Sequence, residues 1–249
     1  MVTALVLLVL LAPLAVLLIH RQQCEAPARL GGFEDGFDAW DRGPNVLPDP
    51  GASVVLDRSL AYEGDTSARA TIPAGSGNKY ARTLWGGSSG EGLQLGEGDE
   101  FSYGMALHLP EGFHEDVPPY FSPVRWDNFG VENPSRSGLA MYGDGRMRLF
   151  REREGREDQV NLLGSMTIRL SEGEWHWLEV RQRLSATDGR ALNELRVDDR
   201  LIGTSTTRNY YGEPVSALRF GIVAISASPT PRLSLHYDGA ALSRERIRC

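Results

Sequence analysis

Two short stretches of this chain set a cation beside an aromatic ring. Lys79, Tyr80 and Arg82 fall in NKYARTLW, and Arg125 and Trp126 precede Asp127 in FSPVRWDN. A guanidinium is a planar fork of donors that fits a carboxylate. An aromatic face offers a stacking surface, and a phenol can carry a proton. Tyr142, Arg148, Tyr210 and Tyr211 are further candidates from neighbouring strands and loops. Strand alternation in FSPVRWDN puts Val124 and Trp126 on one face and Arg125 and Asp127 on the other. Arg125 with Arg82 therefore carries the ligand expectation. Trp126 joins them only if a bulge re-aims it, and is otherwise a core residue.

Other chemistry is thinner. The histidines share no metal-ligand spacing, and His176, between Trp175 and Trp177, reads as a structural strand opening. His108 and His236 read as surface residues, and His114 as a loop residue. Phosphate loops, nucleophile elbows and the HExxH pattern are absent, so no cofactor is expected for chemistry. The carboxylates of Glu34 and Asp238 are either solvated turn residues or, if the first and last strands pair, oxygen ligands of a structural calcium ion.

Composition bounds the class. The chain has 249 residues, 41% hydrophobic and 24% charged, which is ample for a sizeable core and unlike a disordered segment. A net charge of −7 argues against nucleic-acid binding. Among 26 basic residues only Lys79 is lysine. This is first a compositional habit and second a preference for the arginine fork.

Residues Val2–Ile19 run for eighteen residues without a charge. A membrane-spanning helix needs about 20. No basic residue precedes the run and no small-x-small site directly follows it, so residues 1–24 read as an uncleaved transmembrane anchor, with a cleaved secretory signal as the alternative. Arg21 alone would keep the domain inside the cell, whereas the character of the rest argues for a cell-membrane protein with its domain outside the cytoplasm.

Residues 25–32 read as a linker, and residues 33–249 as one all-β domain. Phe101, Tyr103, Met105, Leu107 and Leu109 alternate with Ser102, Gly104, Ala106 and His108, which marks a strand buried on one face. Similar runs are Ser53–Asp57, Ser67–Ile72, Tyr80–Trp85, Phe121–Asp127, Leu139–Tyr142, Met147–Arg151, Thr167–Leu170, Trp175–Arg183, Leu195–Asp198, Ala217–Ile225 and Leu233–Tyr237. About a dozen short strands with frequent turns predict a two-sheet antiparallel β-sandwich, a jelly roll. If its first and last strands pair, Cys24 and Cys249 flank them, and they are either bridged or two free thiols.

Several motifs resemble those of concanavalin-A-like jelly rolls, above all the heparin-lyase-like polysaccharide lyases and sandwich-type carbohydrate-binding modules. They are Gly31–Trp40, Gly64–Arg69, Trp175-His176 with Asp188-Gly189 and Val197-Asp198-Asp199, and Leu235–Gly239. Lyase chemistry needs a cation for the uronate carboxylate, a base for the C5 proton and an acid for the leaving oxygen. By residue type, the candidates for these roles are Arg82, Arg125, Tyr80 and Tyr142. The family's Gln and His positions, however, are Val124, Arg125 and Trp126 here, and its late Tyr and Lys are missing from Leu218–Val223. The resemblance thus implies a glycan-binding jelly roll without catalysis, contacting a polysaccharide through Arg82, Arg125, Trp126, Lys79 and Tyr210. An active polysaccharide lyase and a structural cell-envelope protein are the alternatives.

Overall fold

The computed structural model describes residues 29–38, 40–46, 51–75, 80–86, 93–115, 120–128, 134–142, 145–153, 159–225 and 232–247. The segment Val2–Ile19, Lys79, Cys24 and Cys249 lie outside the described residues. Among the described residues no helix is long and apolar enough to cross a membrane.

The strands are β1 (Arg29–Gly31), β2 (Arg42–Val46), β3 (Ser53–Asp57), β4 (Ser67–Ile72), β5 (Ala81–Gly86), β6 (Glu100–His108), β7 (Tyr120–Asp127) and β8 (Ser135–Tyr142). They continue as β9 (Met147–Arg153), β10 (Val160–Asn161), β11 (Trp175–Arg183), β12 (Leu192–Val197), β13 (Arg200–Ser205), β14 (Ala217–Ile225) and β15 (Leu233–Ser243). An eight-stranded sheet runs β13-β12-β11-β6-β15-β4-β3, with β1 also on β15, and a seven-stranded sheet runs β10-β9-β8-β7-β14-β5-β2. The neighbouring strands pair antiparallel, which gives the expected sandwich. The first and last strands do pair, with Arg29 opposite Leu242, so a strand occupies part of the stretch read as a linker. Thr167–Leu170 is not a strand. It forms one bridge, Met147 to Ile168, before Ser171-Glu172-Gly173 turns the chain.

Period-two alternation builds the core between the sheets. Phe101, Tyr103, Met105 and Leu107 of β6 meet Val124, Trp126, Leu139, Leu149, Leu218 and Phe220 of the opposite sheet in one buried cluster. A polar hub sits inside it. Gln182 of β11 accepts the Trp126 indole N–H at 2.8 Å and the Tyr103 hydroxyl at 3.3 Å, and its amide donates to Ser137 and Asn193 at 3.1 Å each. A buried amide with donors and acceptors all matched fixes how the sheets face each other.

The carboxyl end is latched to the outside of the eight-stranded sheet. Ile247 is buried against Ala106, Trp177 and Ala241, and its N–H donates to Glu179 Oε1 at 2.9 Å. Burial pushes the Glu179 carboxyl up to about 7, against the pull of the Ile247 amide, Arg246 and Arg196. The folded state therefore keeps this proton to about pH 7, while the unfolded chain releases it near 4.5. Stability from this group is complete below pH 4.5 and is lost as pH rises to 7. Glu179→Gln should raise stability at about pH 8 by on the order of 2 kcal/mol and change little at about pH 4.5. Denaturant midpoints at the two pH values measure this, and equal shifts at both would exclude a buried proton as the cause.

Candidate functional site

The core hub decides what faces outward from β7. Trp126 is fully buried with its indole held by Gln182, so Arg125 and Asp127 must point to the outer face of the seven-stranded sheet. Trp126 therefore leaves the ligand set: its side chain lies between the sheets. Register then gathers the remaining groups. Arg219 of β14 stands opposite Arg125, with Gly138 of β8 on its other side. Arg136 stands opposite Asp127, and Glu152 opposite Arg136. Arg82 of β5 stands opposite Gly221, two residues along from Arg219. Gly138 is required for the crossing, because a Cβ there would lie 2.3 Å from the Val124 carbonyl oxygen and 2.5 Å from Arg125 Cα.

Three guanidiniums contact Asp127, and that of Arg82 adds to the field there. Arg219 Nε lies 2.9 Å and Arg125 Nε 3.2 Å from its Oδ2, and Arg136 Nε lies 3.4 Å from Oδ1. Arg136 also pairs with Glu152 at 3.0 Å. Arg82 donates to the Val223 carbonyl at 2.9 Å and sits 3.8 Å over the Tyr80 ring. Arg82, Arg125, Arg219 and Asp127 are all buried. Burial alone would raise the Asp127 carboxyl, yet the guanidiniums of Arg125, Arg219, Arg136 and Arg82 hold it below the ordinary carboxylate range. Burial and the facing Arg219 draw Arg82 down to about 9, and burial draws Arg219 to about 10 despite Asp127. Both remain cationic at neutral pH, in a cluster where four guanidiniums share the carboxylates of Asp127 and Glu152. Arg82, Arg125 and Arg219 are thus buried cations gathered near the buried carboxylate of Asp127.

Beside the arginines the same face turns aromatic. Tyr120 lies 5.9 Å from both Tyr142 and Phe150, and Arg148 sits 4.5 Å over the Tyr142 ring. The Tyr142 hydroxyl donates to Gln159. Burial pushes the Tyr120 and Tyr142 phenols up, so both stay protonated at neutral pH. Tyr210 lies elsewhere, buried in the core cluster. The groups not anticipated are Arg219, Arg136, Tyr120 and Phe150. Alternation around Leu218 and Phe220 marks Arg219 as outward. Arg136 and Phe150 depend on register, which no local pattern encodes.

Two other constellations hold the fold together. Ser171 Oγ, His176 Nε2 and Asp198 follow at 2.9 and 2.8 Å, the spacing of an acyl-transfer triad. The Ser171 hydroxyl, however, also bonds Glu174, and Asp198 accepts the Trp177 N–H at 2.8 Å. The imidazole thus ties β11 to the β12–β13 turn, where Asp198 and Asp199 have φ of 49° and 63°. Glu34 and Asp238 grip one loop. Glu34 accepts the Asp65 and Thr66 N–H groups at 2.9 Å each, and Asp238 those of Tyr62 and Glu63 at 3.1 and 3.2 Å. Gly64, at φ +62°, is essential there, because a Cβ would lie 2.4 Å from Glu34 Oε1. Among the described residues no group of three or more His, Cys, Asp or Glu could hold a metal ion.

Two stability outcomes follow from these contacts. Asp127→Asn removes the charge that separates the buried guanidiniums and should cost about 3 kcal/mol in chemical denaturation. A loss below about 1 kcal/mol would show that the arginines do not depend on it. Glu34→Ala strands two amides and should cost about 1–2 kcal/mol. The same melts with added calcium and with chelator show whether a cation shares the work of Glu34.

No protein-family model and no curated protein sequence matches the chain. Solved structures do. An endo-β-1,4-glucuronan lyase from the fungus Trichoderma reesei superposes with a TM-score of 0.62 at 15% identity, over 88% of this chain and 95% of that one. The alginate lyase vAL-1 from Chlorella virus gives 0.56 at 8% identity, over 81% and 93%. The alginate lyase Aly36B gives 0.53 at 12% identity, over 82% and 88%. In fold, the chain resembles these jelly-roll polysaccharide lyases along nearly their whole length.

Proposed function

We propose that this protein binds an acidic polysaccharide on the outer face of the seven-stranded sheet and does not cleave it. Arg82, Arg125 and Arg219 take the anionic groups, and the Tyr120 and Tyr142 rings border the sugar path. The observation that carries this reading is the crowding of three guanidiniums on Asp127 with that of Arg82 nearby, a positive excess that a string of uronate carboxylates would neutralise. The fold of glucuronan and alginate lyases supports the choice of polymer.

Absence of cleavage rests on proton chemistry. β-Elimination needs a base whose pKa lies near the working pH. Tyr120 and Tyr142 are held as neutral phenols. His108, His176 and His236 belong to the other sheet, and His114 Nε2 bonds the Leu170 carbonyl. In this proposal Val2–Ile19 anchors the chain in the cell membrane, with the domain outside the cytoplasm.

Titration with glucuronan and alginate tests the reading. Arg125→Ala should weaken binding by about 1.5–3 kcal/mol while the melting temperature holds, since Asp127 keeps Arg219 and Arg136. Matching losses of affinity and melting temperature would move the site elsewhere. Ultraviolet absorbance from an unsaturated uronate, followed in parallel, should stay flat. A steady rise would replace binding with the lyase alternative.

A further inference from the structure

The outer face of the eight-stranded sheet carries a second ordered row. Register lines up Trp175 of β11, His108 of β6, His236 of β15, Arg69 of β4 and Val55 of β3 side by side. All five are half-buried or exposed, although their strand neighbours on the opposite face pack into the core. At about 4.8 Å per strand the row spans roughly 19 Å. Its rings follow one another with centroids 5.8 Å apart for Tyr62 and Trp175, 5.5 Å for Trp175 and His108, and 6.0 Å for His108 and His236, tilted by 59°, 59° and 82°, so that separate ring faces and edges line the row.

The track ends in a cleft of about 300 Å³, to which Arg69, Arg232, Ser234, His236 and Phe113 contribute. Asp57 fixes the inner end of this site, lying 3.1 Å from His236 Nε2 and 3.4 Å from Arg69. Arg232 is exposed and has no hydrogen-bond or ion-pair partner among the described residues. The acidic groups here are Asp57, engaged as described, and Glu111 on the cleft rim. An aromatic row leading to two arginines has the makeup of a sugar track: ring faces stack on pyranose faces, and a guanidinium fork closes on a carboxylate.

We infer that this row is a second glycan-binding surface, on which a saccharide chain crosses the strands, stacks on Trp175 and brings a uronate carboxylate to Arg69 and Arg232. The choice of an acidic glycan rests on the proposed function, but none of the residues is shared. The two surfaces lie on opposite outer faces of the sandwich, so one protein can hold two stretches of polymer and gain avidity from both.

A glucuronate trisaccharide titrated into the full-length protein, with intrinsic tryptophan fluorescence and calorimetry as readouts, counts the sites. The wild type should bind two. Arg125→Ala should remove one, and the double variant Arg69→Ser/Arg232→Ser the other, each leaving the remaining affinity within about twofold. Affinity for long glucuronan should fall by about tenfold or more in either variant. Thermal melts confirm folding, and Trp175→Phe offers a second variant that keeps a ring while reducing stacking area. A single site lost with Arg125→Ala and unaffected by the double variant overturns the second surface and leaves the first. A single site lost with the double variant and unaffected by Arg125→Ala overturns the arginine-cluster site and leaves this one. Absence of binding to both trisaccharide and polymer overturns both.

Discussion

The contact between Trp126 and Gln182 sets the handedness of everything outside the core. A strand has only two faces, and the indole N–H of Trp126 finds its acceptor on the opposite sheet. Slipping β7 by one residue would leave the Gln182 amide unmatched and drive Arg125 and Asp127 between the sheets. Both outcomes are severe, because unpaired buried polar and charged groups cost several kcal/mol. One hydrogen bond in the core thus selects which side chains the outer face presents. Gln182 also engages Tyr103, Ser137 and Asn193, so the same choice is tied to β6, β8 and β12.

On that face the chain accepts an electrostatic conflict. Buried guanidiniums repel one another, and only Asp127 sits among all of them. Asp127 is strong enough to organise Arg125, Arg219 and Arg136, but one carboxylate cannot neutralise them together with Arg82. Glu152 pairs with Arg136 at the edge and also favours the charge of Arg125. In the proposed reading, an external anion arriving at this cluster would relieve the repulsion that Asp127 leaves. A hydrophobic replacement of the cluster would stabilise the sheet and remove the proposed site.

Legibility followed the physics of each feature. Ser53–Asp57, Ser67–Ile72, Trp175–Arg183 and Ala217–Ile225 have the bounds that alternation predicts, and in all but the edge strand Ser53–Asp57 one face is core. β2, β10 and β13 lie at sheet edges and have no expected counterpart. Thr167–Leu170 has the alternation but finds only one bridge, which shows that pattern without a partner does not make a strand. Within the site, the outward position of Arg125 was legible from its neighbours, and so was the claim of Trp126 on the core. Arg219 and Arg136 become members only through register, which depends on the whole sheet. Tyr210 looked like a ligand residue by type, yet it is buried at the sandwich core.

Net charge and site charge point in opposite directions, and distance reconciles them. The whole chain carries −7, which should repel a polyanion. At physiological ionic strength, however, charges more than about 8 Å apart are largely screened by salt. A polymer resting on the seven-stranded sheet therefore senses chiefly the groups beneath it, and there the guanidiniums outnumber the carboxylates. Partial burial strengthens this local field, because low-dielectric walls screen less than water does. Acidic groups elsewhere on the surface would then keep the protein from adhering to polyanions through faces that lack such a cluster. In the proposed reading, specificity for the prepared surfaces would come from surrounding them with charge of the opposite sign.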